Sequence, residues 1–101
     1  MFVEAKLGKP FLTRDLGSLY FSIPAYTVTP PCQLSIGRFD CLDSKNGGTN
    51  FIYRLMELLD VKSFEEIEGS YVTLCVKDGG IVANIGSIEG NNWITVPEEK
   101  R

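Results

Sequence analysis

Residues 71–88 read YVTLCVKDGGIVANIGSI, and they contain the strongest hairpin signal of the chain. Two apolar runs rich in β-branched residues flank Asp78-Gly79-Gly80. An Asp-Gly pair supplies the positive φ angles that a tight hairpin turn needs. The stretch therefore predicts an antiparallel hairpin, with one strand from Tyr71 to Lys77 and the other from Ile81 to Ile88.

Three earlier segments alternate apolar and polar side chains with a period of two, as half-buried strands do. They cover residues 2–7, 19–28 and 33–42, and they predict an antiparallel meander. Pro24 lies inside the second segment and cannot donate a backbone hydrogen bond, which predicts that this strand is at a sheet edge or at a bulge. A last short strand is predicted over 93–96.

A helix is predicted from about Asn50 to Asp60, after a polar, glycine-containing loop at residues 43–48. Its apolar arc is wide, because only Arg54 and Glu57 are clearly polar. Such an arc either packs entirely within one chain or meets a second copy of the chain. The second interpretation predicts a homo-oligomer, in which a small domain gains additional burial.

These elements predict an α+β fold with an antiparallel β-sheet, one main α-helix, a short helical turn and a C-terminal β-hairpin. The short turn is predicted from Ser63-Phe64-Glu65-Glu66, which matches a capping box. The 101 residues are 44% hydrophobic and 23% charged, which is typical of one ordinary domain. Residues 1–96 are assigned to that domain and residues 97–101 to a charged C-terminal tail.

The composition argues against several classes of function. Ten Lys and Arg against thirteen Asp and Glu give a net charge of −3, which does not suit binding to duplex nucleic acid. The chain has no histidine, so His-based catalytic triads, His-ligated metals and His general bases are excluded. Its three cysteines lack a CxxC spacing, and no targeting or membrane-spanning segment is evident. We therefore expect a cytoplasmic protein without catalytic residues, cofactor or metal.

Aromatic, amide and guanidinium side chains remain as candidates for ligand binding. Trp93 follows Asn91 and Asn92, which suggests a stacking platform beside amide donors and acceptors. The alternative is that Trp93 fills the core while the two asparagines form a turn. Arg38 and Phe39 occupy successive strand positions, so only one of them can face a given pocket.

Arg54 is one of the few polar groups on the predicted helix. At a seam between two copies its guanidinium would be available for a phosphate, whereas within one chain it would pair with Glu57. A phosphate calls for a cation, a base for an aromatic face, and the edge of the base for an amide. These residue types together predict a phosphorylated nucleotide that is bound without being consumed.

The order of motifs from about residue 34 to residue 95 resembles a group of small bacteriophage and prophage proteins. Their pattern is a G-G-Y-x-L-D strand, an apolar helix, V-x-S-W-E-D-L-x-G and I-G-H-x-x-x-D-x-W-F. This chain has GRFDCLD at 37–43, GTNFIYRL at 48–55, VKSFEEIEG at 61–69, IGSI at 85–88 and NWI at 92–94. The family's second glycine, tyrosine, tryptophan and histidine are replaced here by Arg38, Phe39, Phe64 and Ser87.

The chain also resembles the phage proteins of the first Thoeris anti-defence type, which form oligomers and sequester cyclic ADP-ribose signals. The resemblance implies a phage protein in the host cytoplasm that binds a cyclic nucleotide or cyclic ADP-ribose-type immune signal without cleaving it. An alternative function is an inhibitor of the anti-CRISPR type, which docks directly on a host defence protein. The expected ligand-binding residues are Arg38, Phe39, Arg54, Asn91, Asn92 and Trp93.

Overall fold

A computed structural model of the chain describes residues 1–42 and 48–97, and it confirms the predicted α+β class. The predicted loop at residues 43–48 lies outside the described residues except for Gly48, which begins the helix, and of the predicted tail at residues 97–101 only Pro97 is described. The strands are β1 (Phe2–Leu7), β2 (Phe11–Asp15), β3 (Ser18–Val28), β4 (Pro31–Asp40), β5 (Tyr71–Lys77), β6 (Ile81–Gly86) and β7 (Trp93–Thr95). Between β4 and β5 lie the helix α1 (Gly48–Leu59) and a 3-10 turn (Phe64–Ile67).

The seven strands form one antiparallel sheet in the order β2-β3-β1-β5-β6-β7, and β4 pairs with the opposite edge of β3. The predicted meander of segments 2–7, 19–28 and 33–42 corresponds to β1, β3 and β4, and these strands pair antiparallel in that order. The strand β2, which was not predicted, also pairs with β3, and β5 pairs with the other edge of β1. The sheet curls, so that Cα atoms of β4 come within 8 Å of Cα atoms of β6. The predicted hairpin between β5 and β6 is confirmed, and its turn has positive φ at Gly79 and Gly80.

Pro24 occupies neither an edge strand nor the bulge of β3, which lies between Phe21 and Ser22. The predicted position of this strand is therefore wrong. The carbonyl oxygen of Pro24 accepts a hydrogen bond of 2.8 Å from the amide of Gly8. Because the amide and the carbonyl of one strand residue point to the same side, the missing donor of Pro24 faces the break between β1 and β2. No ladder hydrogen bond is lost there.

The inner face of the sheet packs against α1 and the 3-10 turn. At its centre Phe39 contacts Phe21 and Phe51, with ring centroids 5.2 Å apart in both pairs. Phe39 has no exposed surface, so the prediction that it binds a ligand is wrong: its ring belongs to the core. The other buried residues of this core include Ala5, Leu7, Ile23, Ala25, Ile36, Leu55, Ile67, Val72, Leu74 and Ile85.

The helix α1 packs most of its apolar arc within the same chain. Phe51 and Leu55 are buried, and the half-buried side chains beside them also contact the core. Tyr53, Arg54 and Glu57 are the residues of this helix that face solvent beyond its first turn. This arrangement favours the interpretation in which the arc packs inside one chain.

The ends of the helical segments follow local backbone chemistry. The helix ends at Leu59, because Asp60 has a φ of 55°, in the left-handed region that terminates helices. In the 3-10 turn the hydroxyl of Ser63 donates to a carboxylate oxygen of Glu66 at 3.0 Å. The two side chains of the predicted capping box therefore bond to each other, and Ser63 caps no amide. None of the described helices is long and apolar enough to cross a membrane.

Candidate binding surface

A concave surface lies on the outer face of the sheet, on the side away from α1. It is formed by outward-facing side chains of β1, β5, β6 and β7, which alternate along each strand with the buried side chains. The loop before β7 borders it. We call it the Trp93 concavity, and its volume is about 680 Å³. It is lined by Phe2, Thr73, Cys75, Asn84, Ile88, Glu89, Gly90 and Trp93.

The indole of Trp93 is held in a fixed orientation in this concavity. Its Nε1 donates a hydrogen bond of 2.8 Å to the carbonyl oxygen of Gly90. The ring lies directly over Gly86, where an added Cβ would come within 2.8 Å of the indole atoms. Phe2 packs against the indole with ring centroids 5.6 Å apart at 63°. With 39% of its surface exposed, Trp93 is on the outer face, and the alternative that it fills the core is wrong.

Asn91 and Asn92 lie between β7 and the turn at residues 88–90, which the amide of Gly90 closes by donating to the carbonyl of Ser87 at 2.8 Å. The hydroxyl of Ser87 donates to Oδ1 of Asn91 at 2.8 Å, and the amide of Ser87 donates to the carbonyl of Asn92 at 2.9 Å. Both asparagines lie outside the lining of the concavity. Their side chains therefore shape the loop that carries Trp93.

The amide that does line the concavity is Asn84, a residue that sequence reasoning missed. Asn84 lies opposite Cys75 on β5 and opposite Thr95 on β7, and its Nδ2 donates to Oγ1 of Thr95 at 3.3 Å. The available signal was a polar side chain at an outward position of an otherwise apolar strand. Thr73 was missed as well, since it reaches Trp93 only through the pairing of β5 with β6 and of β6 with β7. Glu89 was also missed, although it lies in the loop that leads to Trp93.

The structure separates the two predicted arginines from Trp93. The guanidinium of Arg38 lies over the ring of Tyr20, 4.3 Å from its centroid, and Arg54 is exposed on α1. Neither side chain lines the concavity. Of the cation, aromatic face and amide that the residue types suggest for a ligand, the described lining contains an aromatic face and an amide. Of the described residues in the lining, Glu89 alone is charged.

The groups of the concavity are suited to stacking and hydrogen bonding. The indole offers an aromatic face, Asn84 both donates and accepts, and the carboxylate of Glu89 accepts. Cys75 is a free thiol in the lining. In the described ranges, no three His, Cys, Asp or Glu residues are grouped closely enough to hold a metal ion.

A second free thiol, Cys41, lies in the core rather than at the concavity. Burial raises the pKa of Cys41, and the nearby Asp40 carboxylate raises it further. Asp40 itself accepts a hydrogen bond of 2.9 Å from the amide of Leu42. This end of β4 is therefore fixed by local contacts, and its thiol stays protonated at neutral pH.

Comparison of the chain with protein-family models, with curated proteins and with solved structures finds no match.

Proposed function

We propose that the chain is a phage anti-defence protein of the host cytoplasm, which sequesters a nucleotide-type immune signal by stacking its base on Trp93. The signal is a cyclic nucleotide or a cyclic ADP-ribose-type molecule, and it is bound without being cleaved. One observation supports the proposal: the only tryptophan of the chain is partly exposed and hydrogen-bonded to Gly90, in a concavity that also contains an amide and a carboxylate.

The lining supplies the contacts that a base needs. Stacking of one base on an aromatic side chain contributes roughly 1–3 kcal/mol. The amide of Asn84 can both donate to and accept from the edge of the base. Glu89 accepts from exocyclic amino groups, so bases that carry such donors fit this surface best.

The phosphates of the ligand are expected to lie outside the concavity. Glu89 is the charged group of the lining, and a carboxylate repels a phosphate. Arg38 and Arg54 are therefore not assigned to phosphate binding. The affinity comes mainly from the base in this proposal, which distinguishes it from the phosphate-centred site that the residue types alone predict.

Two measurements test the proposal. Protein purified from infected cells is heat-denatured, and the released small molecules are identified by mass spectrometry. In parallel, the fluorescence of Trp93 is titrated with cyclic ADP-ribose isomers and with cyclic di- and trinucleotides. Trp93→Ala, followed by calorimetry, is expected to weaken binding about 5-fold to 150-fold, which corresponds to ~1–3 kcal/mol.

Tyr53→Ala is the matched control, because Tyr53 is also an exposed aromatic residue but lies on α1. It is expected to leave the affinity unchanged. If no compound is released and no titrated nucleotide produces heat or a fluorescence change, the proposal is rejected.

The second candidate function is an inhibitor that docks on a host defence protein. It is favoured by the further aromatic exposure on the outer face of the sheet. Tyr26, Lys6 and Tyr71 lie side by side across β3, β1 and β5, and the two tyrosines are 45% and 60% exposed. Under this function, Tyr71→Ala weakens binding to the defence protein in a direct calorimetric titration, and no nucleotide is carried by the purified chain.

A further inference from the structure

The strand β2 has an open edge. Among the strands that the structure describes, β2 pairs with β3 alone and lies at the end of the sheet. The other outer strands are protected, because β7 has three residues and is soon followed by Pro97, and Cα atoms of β4 come within 8 Å of those of β6. All five residues of β2 are exposed, and two of them, Phe11 and Leu12, are large and apolar. Another strand can therefore add to this edge.

The turn after β2 determines which backbone groups point to the open edge. The two residues between the paired Asp15 and Ser18 have positive φ, which is typical of a type I′ turn. The pair that flanks such a turn is hydrogen-bonded, and hydrogen-bonded pairs alternate with other pairs along an antiparallel ladder. Counted back from Asp15, the amides and carbonyls of Leu12 and Arg14 point away from β3. No other described strand pairs with them.

We propose that β2 of one copy pairs antiparallel with β2 of a second copy about a two-fold axis at Thr13, so that one continuous sheet crosses both chains. In this register Leu12 of each copy forms a hydrogen-bonded pair with the partner's Arg14. Every amide that points to the open edge then meets a carbonyl of the other copy.

Two other symmetric registers use the same edge, and each is unfavourable. An axis at Leu12 places Arg14 opposite the partner's Pro10, which has no amide to donate. An axis at Arg14 places two guanidinium groups directly opposite each other, which destabilises the pairing. The axis at Thr13 avoids both problems. The strand is therefore complementary to itself in one register, and for this reason we assign the open edge to a second copy.

The side chains of β2 are compatible with this register. Arg14 lies opposite the partner's Leu12, which packs against the aliphatic part of the arginine side chain. Asp15 lies opposite the partner's Phe11, so within β2 no two like charges are directly opposed. Because the interface is small, we expect a weak dimer whose population rises with concentration.

The inference goes beyond the proposed function and does not depend on it. No residue of β2 lines the Trp93 concavity. Pairing through β2 therefore leaves that surface open in both copies, and nucleotide binding and self-association can be measured independently.

A cysteine at the axis tests the register. The two Thr13 residues of the dimer face each other at a non-hydrogen-bonded position, where Cα atoms are about 4.5 Å apart, and this distance permits a disulfide. The background is Cys32→Ser, which removes the exposed native thiol. In a glutathione redox buffer, Thr13→Cys is expected to form a cross-linked dimer, which non-reducing electrophoresis and intact mass measure.

Leu16→Cys in the same background is the control for random collisions. Leu16 is 97% exposed, but in the proposed dimer it lies roughly 20 Å from the partner's Leu16 along the paired strands. Its cross-linking is expected to be at least about tenfold slower than that of Thr13→Cys.

A pair of charged variants tests the same register without a covalent bond. Leu12→Glu places a carboxylate opposite the partner's Arg14, whereas Leu12→Arg places a like charge there. By light scattering over a concentration series, Leu12→Glu should associate at least about fivefold more tightly than Leu12→Arg. The net charge of −3 would by itself favour the opposite order, because the arginine variant reduces repulsion between whole chains.

Three results would overturn the inference. They are a monomer mass for the unmodified chain at every concentration up to about 1 mM, cross-linking of Leu16→Cys as fast as that of Thr13→Cys, and tighter association of Leu12→Arg than of Leu12→Glu. Nucleotide binding is titrated separately on the same variants. Its absence rejects the proposed function alone, and a monomeric chain that binds nucleotide rejects the pairing alone.

Discussion

The contact between Gly86 and Trp93 depends on the absence of a single methyl group. Gly86 lies on β6 opposite Trp93 on β7, and the indole occupies the space that a side chain would need. Sequence patterns predict neither part of this contact. A glycine inside a strand signals a close approach but does not identify what approaches, because the partner is set by the register between β6 and β7.

Gly86→Ala is therefore expected to displace the indole. The added Cβ would lie 2.8 Å from ring atoms, and the strain should lower the free energy of unfolding by ~1–3 kcal/mol. Urea denaturation measures the loss, and the emission maximum of Trp93 reports the displacement. The control is the same change in a Trp93→Ala background, where it should cost much less. Additive effects of the two substitutions would contradict the contact.

The thiols are expected to react in the order of their exposure and protonation. Cys32 is exposed, whereas burial and Asp40 raise the pKa of Cys41. At pH 8 iodoacetamide should therefore modify Cys32 first and Cys41 last, as measured by peptide mass spectrometry. In urea the three thiols should react at similar rates.

The raised pKa of Cys41 also has a consequence for stability at alkaline pH. The pKa of Cys41 is higher in the folded chain, so its contribution to stability is complete below the unfolded-state pKa and is lost as the pH rises through the folded-state pKa. Cys41→Ala should accordingly flatten the alkaline decline in stability. In the iodoacetamide experiment described above, early modification of Cys41 in the folded chain would show that its thiol is not buried.

Among the secondary-structure elements, the sequence predicts those whose turns contain a recognisable residue pattern. The β5–β6 hairpin has Asp78-Gly79 between two apolar runs, and it was predicted with its turn in place. The strand β2 was missed. Its turn begins with Leu16, which no turn preference would select, and its residues show no alternation of burial. Propensity and periodicity both fail where a segment is exposed on its two faces.

The helix α1 should depend on the side chain that it buries most completely. Leu55 has no exposed surface, and Leu55→Ala is expected to lower the free energy of unfolding by ~2–5 kcal/mol, because it leaves a cavity in the core. Glu57→Ala on the exposed side of the same helix should change it by less than about 0.5 kcal/mol. Chemical denaturation measures both. Equal losses of unfolding free energy in the two variants would show that Leu55 is not on the buried side of the helix.

At the scale of the whole molecule, the candidate site was predicted only in part. Trp93 was identified from its aromatic type, but the arginines were selected by type alone and lie away from it. Phe2 joins the site because β1 pairs with β5, a contact between residues more than seventy positions apart. A single sequence does not encode that pairing in any local pattern. The residue types were therefore more predictable than their convergence.

The charge of the whole molecule gives a further test of the proposed ligand mode. The net charge is −3, and the Trp93 concavity contributes a carboxylate rather than a cation. Nucleotide affinity should therefore change by less than roughly threefold between 50 and 200 mM salt, since few phosphate contacts are made. Calorimetry at several salt concentrations measures the slope. A steep fall in affinity would place basic side chains at the phosphates.

The central position of β1 in the sheet has a consequence for how the chain folds during its synthesis. When β4 has left the ribosome, β1 can pair with β3 along one edge, while the strand that covers its other edge, β5, has not yet emerged. Until residues 71–77 emerge, the nascent chain carries an open strand edge, which is the feature that promotes aggregation. Prematurely terminated products that end before β5 should accordingly be insoluble or bound to chaperones.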